Sequence, residues 1–155
     1  GELLFGLAMA GMTRGVCVGI VTAVVLVSLG GHGLPVYPLI ALAYLLLGSL
    51  ALSFAGILAG IWANKFDEMA AITNFIVQPL TFLSGTFYSI NRLPAPFDTI
   101  AALNPVFYAI DGFRHGIIGV ADRPLLTGFL CLCAVNLVLG VLCYRALSSG
   151  YRLKS

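Results

Sequence analysis

Long apolar stretches alternate with short polar or Gly/Pro-rich turns along the whole chain. Four stretches, 3–29, 37–63, 69–90 and 125–144, are each at least 20 residues long, and Arg14 is the only charged residue within them. A helix of about 20 apolar residues, rising about 1.5 Å per residue, crosses the hydrocarbon layer of a bilayer. We therefore predict an all-α integral membrane protein with four transmembrane helices.

The composition agrees with a lipid environment. Of the 155 residues, 60% are hydrophobic and 9% are charged, with a formal net charge of +2. A water-soluble domain carries about 25% charged residues. We therefore expect membrane lipid, and no nucleic acid, as a partner. Because Gly1 is not Met and no signal-peptide pattern follows it, we expect the C-terminal part of a longer protein, with an engineered start as the alternative.

The irregular region 91–124 separates the third and fourth predicted spans, and it contains four prolines. Pro105 predicts a break between two short outer helices, about 96–103 and 106–119. Both keep an apolar side, which is typical of helices that lie at the membrane surface or dip back into the membrane. A plain extramembrane loop is the alternative, and it would expose many Phe and Ile side chains.

The orientation depends on the lysine and arginine counts. An even number of spans puts both chain ends on one side, which carries four basic residues against three on the other side. Three of the four belong to the acid-free tail 145–155, directly after the last span. By the positive-inside rule, the C-terminus is therefore predicted to be cytoplasmic.

Arg14 is the most costly residue in the sequence. It lies about 16 Å from the start of the first span, near the midplane, where an arginine costs about 2.5–3.5 kcal/mol. This position predicts a water-filled pathway or a buried partner. Alternatively, the span runs from residue 16 to 34 and Arg14 reaches the headgroups. Asn74, Gln78 and Pro79 interrupt the third span, which suits either a pathway lining or plain packing.

Small residues recur at a four-residue spacing on two of the predicted spans. Gly11, Gly15 and Gly19 share one face of the first span, and Gly56 and Gly60 share one face of the second. Such faces allow close helix contact, within the chain or between two copies. The chain also has four cysteines in apolar runs, which we expect to be buried, inert thiols. They are Cys17, Cys131, Cys133 and Cys143.

Motifs for nucleotide or metal chemistry are missing from the sequence. It has no P-loop and no zinc-binding pattern, and its histidines, His32 and His115, lie near predicted membrane surfaces. We therefore expect no catalytic residue, metal or cofactor in this chain. Ser84 with His115 as its base would be a remote likeness to a serine protease. A serine in a span more often bonds the carbonyl of the preceding turn.

The stretch 78–114 resembles the signature region of the ABC-2 type permeases, the membrane subunits of type-2 ATP-binding-cassette exporters. It reads QPLTFLSGTFYSINRLPAPFDTIAALNPVFYAIDGFR. The resemblance gives structural roles to Pro79, Gly85, Pro94, Pro105, Tyr108 and Arg114. Thr86 and Val106 depart from the family pattern, with little effect on the chemistry. The stretches 12–20 and 64–69 are similar to the YadH-like subgroup of this family.

This resemblance covers essentially the whole chain and implies the third to sixth spans of a six-helix permease fold. It implies a transport subunit of an ATP-driven exporter in the bacterial inner membrane, which moves an amphiphilic or polysaccharide-type substrate. The implied partners are a second permease copy or a paralogue and two ATPase subunits, which would bind the ATP and Mg. A non-transporting membrane assembly or scaffold protein is the alternative.

The resemblance also implies two groups of functional residues. For the translocation pathway or its coupling to ATP hydrolysis, the candidates are Arg14, Asn74 and Gln78. For contact with the ATPase subunits, the candidates are Glu2, Lys65, Asp67 and Glu68.

Overall fold

The computed structural model describes residues 2–30, 35–63, 65–82, 84 and 103–148, and every regular element in these ranges is a helix. The elements, in chain order, are α1 (Glu2–Gly30), α2 (Pro38–Trp62), α3 (Phe66–Ile72), a π-helical segment (Thr73–Val77), α4 (Gln78–Phe82), α5 (Pro105–Ile118) and α6 (Leu125–Ser148). Three of them are long and apolar enough to cross a membrane: α1, over Glu2–Val25, α2 and α6. The predicted all-α membrane fold is confirmed.

Several helix bounds differ from the predicted ones. α6 continues to Ser148, so Arg145 lies in its last turn and not in a tail. Asp67 and Glu68 lie in the first turn of α3 and not in a connecting turn. Carboxylates are favourable there, since the helix N-terminus is electropositive. The predicted third span, 69–90, is described as helix only as far as Phe82, so its remainder stays a prediction.

α2 is the central helix, and it packs against α1, α5 and α6. α1 runs antiparallel to it, because Gly15 lies against Ser49 and Gly19 against Leu45. α6 runs parallel to α2. The amide of Asn136 donates to the Leu47 carbonyl at 3.0 Å. About two turns farther along both helices, the Cys143 thiol donates to the Phe54 carbonyl at 3.3 Å.

α5 lies beside only the first half of α2. Going along α5, Ala109 lies against Gly48, Gly112 against Tyr44, and Gly116 against Ala41, so the two helices are antiparallel. The start of α5 is therefore level with the middle of α2, and its end is level with the start of α2. This packing beside a membrane-competent helix agrees with the arrangement in which an outer helix dips back into the membrane, and the depth of α5 in the membrane stays a prediction. The other predicted outer helix, 96–103, lies outside the described residues except for Leu103.

The start of α5 is stabilised by its first residue and by a capping side chain. Pro105 occupies the first turn of the helix. The amides of the first turn have no acceptor within the helix, so the missing N–H of proline costs no hydrogen bond there. The Asn104 side chain accepts from the amide of Val106 at 3.0 Å and donates to the Leu80 carbonyl of α4 at 2.8 Å. This bond ties the end of α4 to the start of α5, so the buried backbone at the break has a partner.

The break predicted at Pro79 takes the form of the π-helical segment. The proline ring clashes with the carbonyl four residues earlier in a regular α-helix. Here the amide of Gln78 donates to the carbonyl of Thr73, five residues back, which widens the turn just before the proline.

The cysteines are unpaired, and their burial differs from the expectation. Cys143 is buried and bonds the Phe54 carbonyl, whereas Cys17 is exposed on α1. The prediction of burial was wrong for Cys17, because the face of α1 that packs on α2 carries the glycines and Cys17 points away from it. Cys131 and Cys133 are half-buried.

Candidate functional site

A groove of about 560 Å³ runs along α2 between α1 and α5. α2 forms its floor, and the two other helices form its walls without touching each other. Its lining is Gly11, Arg14, Gly15, Val18 and Gly19 from α1, Tyr44, Leu45, Gly48, Ser49, Leu52 and Ser53 from α2, and Ala109, Ile110 and Phe113 from α5. We refer to this space as the α1–α5 groove. It is mostly apolar and has a single cation in its lining.

Arg14 supplies that cation. Within the described part of the chain it makes no hydrogen bond and no ion pair, and its side chain is exposed. Its neighbour Gly15 lies against Ser49, close to the middle of the 25-residue α2. α1 is also one continuous helix from Glu2. Both facts support a position of Arg14 near the midplane, about 15 Å from either membrane surface. They argue against the alternative in which the span begins at residue 16.

Two of the three hydroxyl groups that line the groove have weak or internal partners. The Tyr44 hydroxyl donates to the Leu125 carbonyl at the start of α6. The Ser53 hydroxyl lies 3.4 Å from the Ala8 carbonyl of α1, a long contact. Elsewhere in the membrane helices, hydroxyls such as those of Thr13 and Thr22 bond the carbonyl four residues earlier. Arg14 therefore remains the group in the groove with an unmet electrostatic demand.

The structure does not bring the three predicted pathway residues together. Asn74 lies in the π-helical segment and Gln78 begins α4, and both side chains are exposed. Neither lines the groove beside Arg14. A shared role of the three residues stays a prediction, because the structure does not place Asn74 or Gln78 close to Arg14.

The glycine faces differ in what they contact. A Cβ on Gly11 would overlap Ser53, and a Cβ on Gly15 would overlap Ser49, so this face of α1 packs on α2. Gly56 and Gly60 have no atom within 4 Å of the Cβ position, so their packing stays a prediction that involves other chain segments or another copy.

A second small-residue face, on α5, was missed at the sequence level. Gly112 packs under the Tyr44 ring, and Gly116 packs on the backbone of Ala41. The four-residue spacing of these two glycines was visible in the sequence, within a segment expected to be broken and superficial. The pair is what allows α5 to approach α2 closely.

An ion-pair network with two buried carboxylates joins α5 to the connection between α5 and α6. The Arg114 guanidinium lies 2.7 Å from the Asp111 carboxylate and 2.8 Å from that of Asp122. Asp111 also accepts from the amides of Asp122 and Arg123, at 2.9 and 3.2 Å. Burial lowers the pKa of Arg114, but the hydrogen bond and charge of Asp122, helped by Asp111, outweigh burial and raise it above the usual value. Arg114 therefore stays charged.

Ser84 and His115 are engaged separately. The Ser84 hydroxyl donates to the carbonyl of Thr81 in the preceding turn, as the packing alternative predicts. The His115 ring stacks on Tyr37, with 5.4 Å between ring centroids. The contacts of the two side chains give no support to a serine–histidine pair.

The comparison with protein families identifies the chain. The model of the ABC-2 type transporter family matches residues 1–118. The chain belongs to the ABC-2 type transporter family. This confirms the resemblance that the signature residues carry.

One of the relatives of this ABC-2 chain is named a transport permease. The chain is 33% identical, over 153 residues, to the inner membrane transport permease YadH of Escherichia coli (strain K12), which covers 99% of this chain and 59% of the relative. It is 30% identical, over 134 residues, to nodulation protein J of Neorhizobium galegae, with 85% of this chain and 49% of the relative covered. The chain thus spans about half to three fifths of the length of these relatives. No solved structure matches it with significance.

The family-signature residues of this ABC-2 chain are only partly described. Pro79 follows the π-helical segment, Pro105 starts α5, and Arg114 forms the ion-pair network. The Tyr108 ring lies 5.1 Å from that of Phe107, and the Tyr108 side chain also contacts Gly128 of α6. Gly85 and Pro94 lie outside the described residues.

The four residues predicted to contact an ATPase subunit lie at the same end of the helical bundle. Glu2 begins α1, and the antiparallel pairing with α2 places it level with the end of α2. Lys65, Asp67 and Glu68 follow directly after that end, and all four side chains are exposed. The opposite end carries the α5–α6 connection. The predicted residues therefore form one charged end of this ABC-2 chain.

Proposed function

We propose that this chain is part of the membrane-spanning permease subunit of an ATP-driven ABC exporter. The observation that carries the proposal is the ABC-2 family match, together with 33% identity over 99% of the chain to a protein named an inner membrane transport permease. The substrate is an amphiphile or a polysaccharide-type molecule. The protein is a multi-pass protein of the bacterial inner membrane, with a cytoplasmic C-terminus.

The assembly contains a second permease copy or a paralogue and two separate ATPase subunits, which hold the ATP and its Mg. The lack of a P-loop in this sequence supports the placement of ATP on a partner. Gly56 and Gly60, which have nothing packed on them in the described structure, offer a close-packing face for another transmembrane segment.

The charged end formed by Glu2, Lys65, Asp67 and Glu68 receives the motion of the ATPase subunits. Asp67 and Glu68 begin the continuous helical run from Phe66 to Phe82, and Leu80 near its end bonds Asn104 at the start of α5. A displacement of the charged end is thereby passed along one helix to the re-entrant helix α5. α5 forms one wall of the α1–α5 groove, so this route links the charged end to the groove.

The alternative of a non-transporting scaffold has less support. A scaffold would use the glycine faces for packing, but a permease uses such faces as well. A scaffold role also does not explain why Arg14 lies in a groove between membrane helices. The transport name of the E. coli relative also favours a permease.

Co-purification tests the proposal. The full-length permease is expressed with a candidate ATP-binding-cassette subunit from the same genome, extracted in mild detergent and captured by a tag on the permease. We expect the ATPase subunit to co-purify, and its ATP hydrolysis to respond to reconstitution into lipid. A permease that folds and is captured without any ATPase subunit would argue for the scaffold.

A further inference from the structure

The helical run from Phe66 to Phe82 joins the charged end to α5, and other helices contact it at both ends. α3, at the start of the run, contacts α2, and α4, at its end, contacts α5. The second contact includes the 2.8 Å hydrogen bond from the Asn104 side chain to the Leu80 carbonyl. The geometry inside the run therefore decides how these two contacts are oriented relative to each other.

The π-helical segment changes this geometry by one residue. The amide of Gln78 donates to the carbonyl of Thr73, five residues back, whereas a regular α-helix bonds four residues back. Each residue of an α-helix turns the chain by about 100° about the helix axis. The additional residue in the wide turn therefore leaves α4 rotated by about 100°, compared with its orientation in an uninterrupted α-helix.

This rotation decides where the Leu80 carbonyl lies. At a helix radius of about 2.3 Å, a rotation of about 100° displaces the backbone of Leu80 by about 3.5 Å. The 2.8 Å hydrogen bond from Asn104 does not survive such a displacement. The end of the run also suits this bond, because the Ser84 amide donates to the Thr81 carbonyl at 3.3 Å and not to Leu80, its acceptor in a regular α-helix.

Pro79 favours the wide turn. In a regular α-helix its ring would clash with the carbonyl of Phe75, and it has no N–H to bond that carbonyl. The π-helical segment ends two residues before Pro79, at Val77, so the wide turn lies where the clash would occur. The sequence thus favours the rotated orientation of α4 over the uninterrupted helix.

We infer that Pro79 is a positioning residue for the coupling of ATP hydrolysis to α5. By favouring the π-helical turn, Pro79 sets the rotation of α4 that brings the Leu80 carbonyl to Asn104. A movement of α3 is thereby connected to the start of α5. This inference rests on the proposed function, since it specifies how a motion of the charged end reaches α5.

Hydrogen–deuterium exchange tests the inference. The full-length permease with its ATPase subunit is reconstituted in nanodiscs, and the nucleotide-free complex is compared with the complex trapped by ATP and vanadate. Mass spectrometry follows peptides from α3 and from the first turn of α5, whose amides at Val106 and Phe107 bond Asn104. We expect trapping to change the exchange rate of both peptides by about threefold or more. A change in α3 with none in α5 overturns this inference alone, whereas a permease that binds no ATPase subunit overturns the proposed function.

Variants assign the link to Pro79. Pro79→Ala removes the clash and restores an N–H, so α4 is expected to turn by about 100°. The response of α5 to nucleotide should then be lost while the response of α3 remains, which shows that the complex is assembled. Pro38→Ala, at an exposed proline in the first turn of α2, is the matched control and leaves both responses as in the wild type. A full α5 response in Pro79→Ala contradicts the role of Pro79.

A register rescue separates orientation from general damage. Deletion of Ile76 in the Pro79→Ala background takes one residue out of the run, so an uninterrupted α-helix again directs the Leu80 carbonyl towards Asn104. The α5 response is expected to return to within about twofold of the wild type. A deletion variant that responds in α3 and not in α5 contradicts the proposed rotation.

A change at Asn104 covers the case in which the Pro79 variants fail to assemble. Asn104→Ser keeps a side chain that caps α5, but its hydroxyl is too short to reach the Leu80 carbonyl. It is expected to abolish the α5 response and to preserve the α3 response. A wild-type α5 response in Asn104→Ser overturns the route through Leu80.

Discussion

The amide of Tyr37, just before α2, donates a 2.9 Å hydrogen bond to the carbonyl of Gly116, near the end of α5. One turn on, the Cα of Gly116 faces the backbone of Ala41, and a Cβ added there would overlap it. α5 is thus held against α2 by a backbone bond and by the absence of a side chain. The position of α5 beside α2 depends on this contact.

Substitution of Gly116 is expected to displace α5. Gly116→Leu should lower the free energy of unfolding by about 2 kcal/mol or more, because neither backbone can retreat without breaking the Tyr37 bond. Gly6→Leu on α1 is the matched control, since Gly6 is exposed and nothing lies within 4 Å of its Cβ position in the described structure. Thermal denaturation of the full-length protein in detergent compares the two. Equal melting temperatures for both variants would contradict the close packing of α5 on α2.

The ion-pair network predicts a strong effect at Arg114. Arg114→Gln leaves the buried carboxylates of Asp111 and Asp122 without their cation, and should cost about 3 kcal/mol of stability. Arg145→Gln, at an exposed position, should cost less than about 0.5 kcal/mol. In the Arg114→Gln background, Asp122→Asn should restore part of the loss. A double-mutant cycle that is additive would contradict the pairing.

The pH dependence of this network follows from the pKa of Arg114, which is raised above its usual value. A basic group whose pKa is higher in the folded protein than in the unfolded chain stabilises the fold. This stabilisation is fully present below the unfolded-state pKa and is lost as the pH rises through the folded-state pKa. The arginine side of the network should therefore lose its charge only in strongly alkaline solution. Loss of the Arg114 contribution near neutral pH, measured as the Arg114→Gln effect against pH, would contradict this.

The hydrogen bonds of Asn136 predict that two substitutions by side chains of similar size will differ in their effect on stability. Its amide donates to the carbonyls of Leu47 and Leu132, at 3.0 and 2.8 Å. Asn136→Leu should cost about 1 kcal/mol or less, because hydrogen bonds between membrane helices contribute little. Asn136→Asp should cost about 2 kcal/mol more, because an ionised carboxylate faces two carbonyls without a proton to donate. Equal stabilities in chemical denaturation would count against the α2–α6 contact.

Apolar length accounts for what could be predicted from the sequence. α1, α2 and α6 follow the apolar stretches to within a few residues, because lipid requires every backbone group to be bonded inside a helix. The helix start at Pro105 was also predictable, since proline is favoured in the first turn of a helix. Neither inference depends on contacts between distant residues.

The packing of α5 on α2 and the α1–α5 groove could not be predicted, because they depend on which helices touch. The glycines at 112 and 116 allow contact with α2, but the sequence does not identify the partner helix. The Arg114–Asp122 pair likewise requires the α5–α6 connection to fold back. For Arg14, the sequence left two positions open, and the contact of Gly15 with Ser49 favours the midplane.

Charge reversal at the charged end is predicted to weaken the coupling between the permease and ATP hydrolysis and to leave the permease folded. Asp67→Lys together with Glu68→Lys should lower ATP hydrolysis by the reconstituted complex about fivefold or more, because the reversed charges repel a surface that the native carboxylates attract. Arg145→Glu, a charge reversal at the same end of the bundle on α6, is the control for nonspecific electrostatic effects. Unchanged hydrolysis in the Asp67, Glu68 double variant would show that these carboxylates do not contact the ATPase.

The subunit composition of the full-length protein tests the central claim most directly. Native mass spectrometry is applied to the tagged permease, released from nanodiscs after co-expression with the candidate ATP-binding-cassette subunit. We predict a complex of two permease copies, or one copy and a paralogue, with two ATPase subunits. A well-folded permease that is found only alone, or in assemblies that contain no ATPase, would contradict the account.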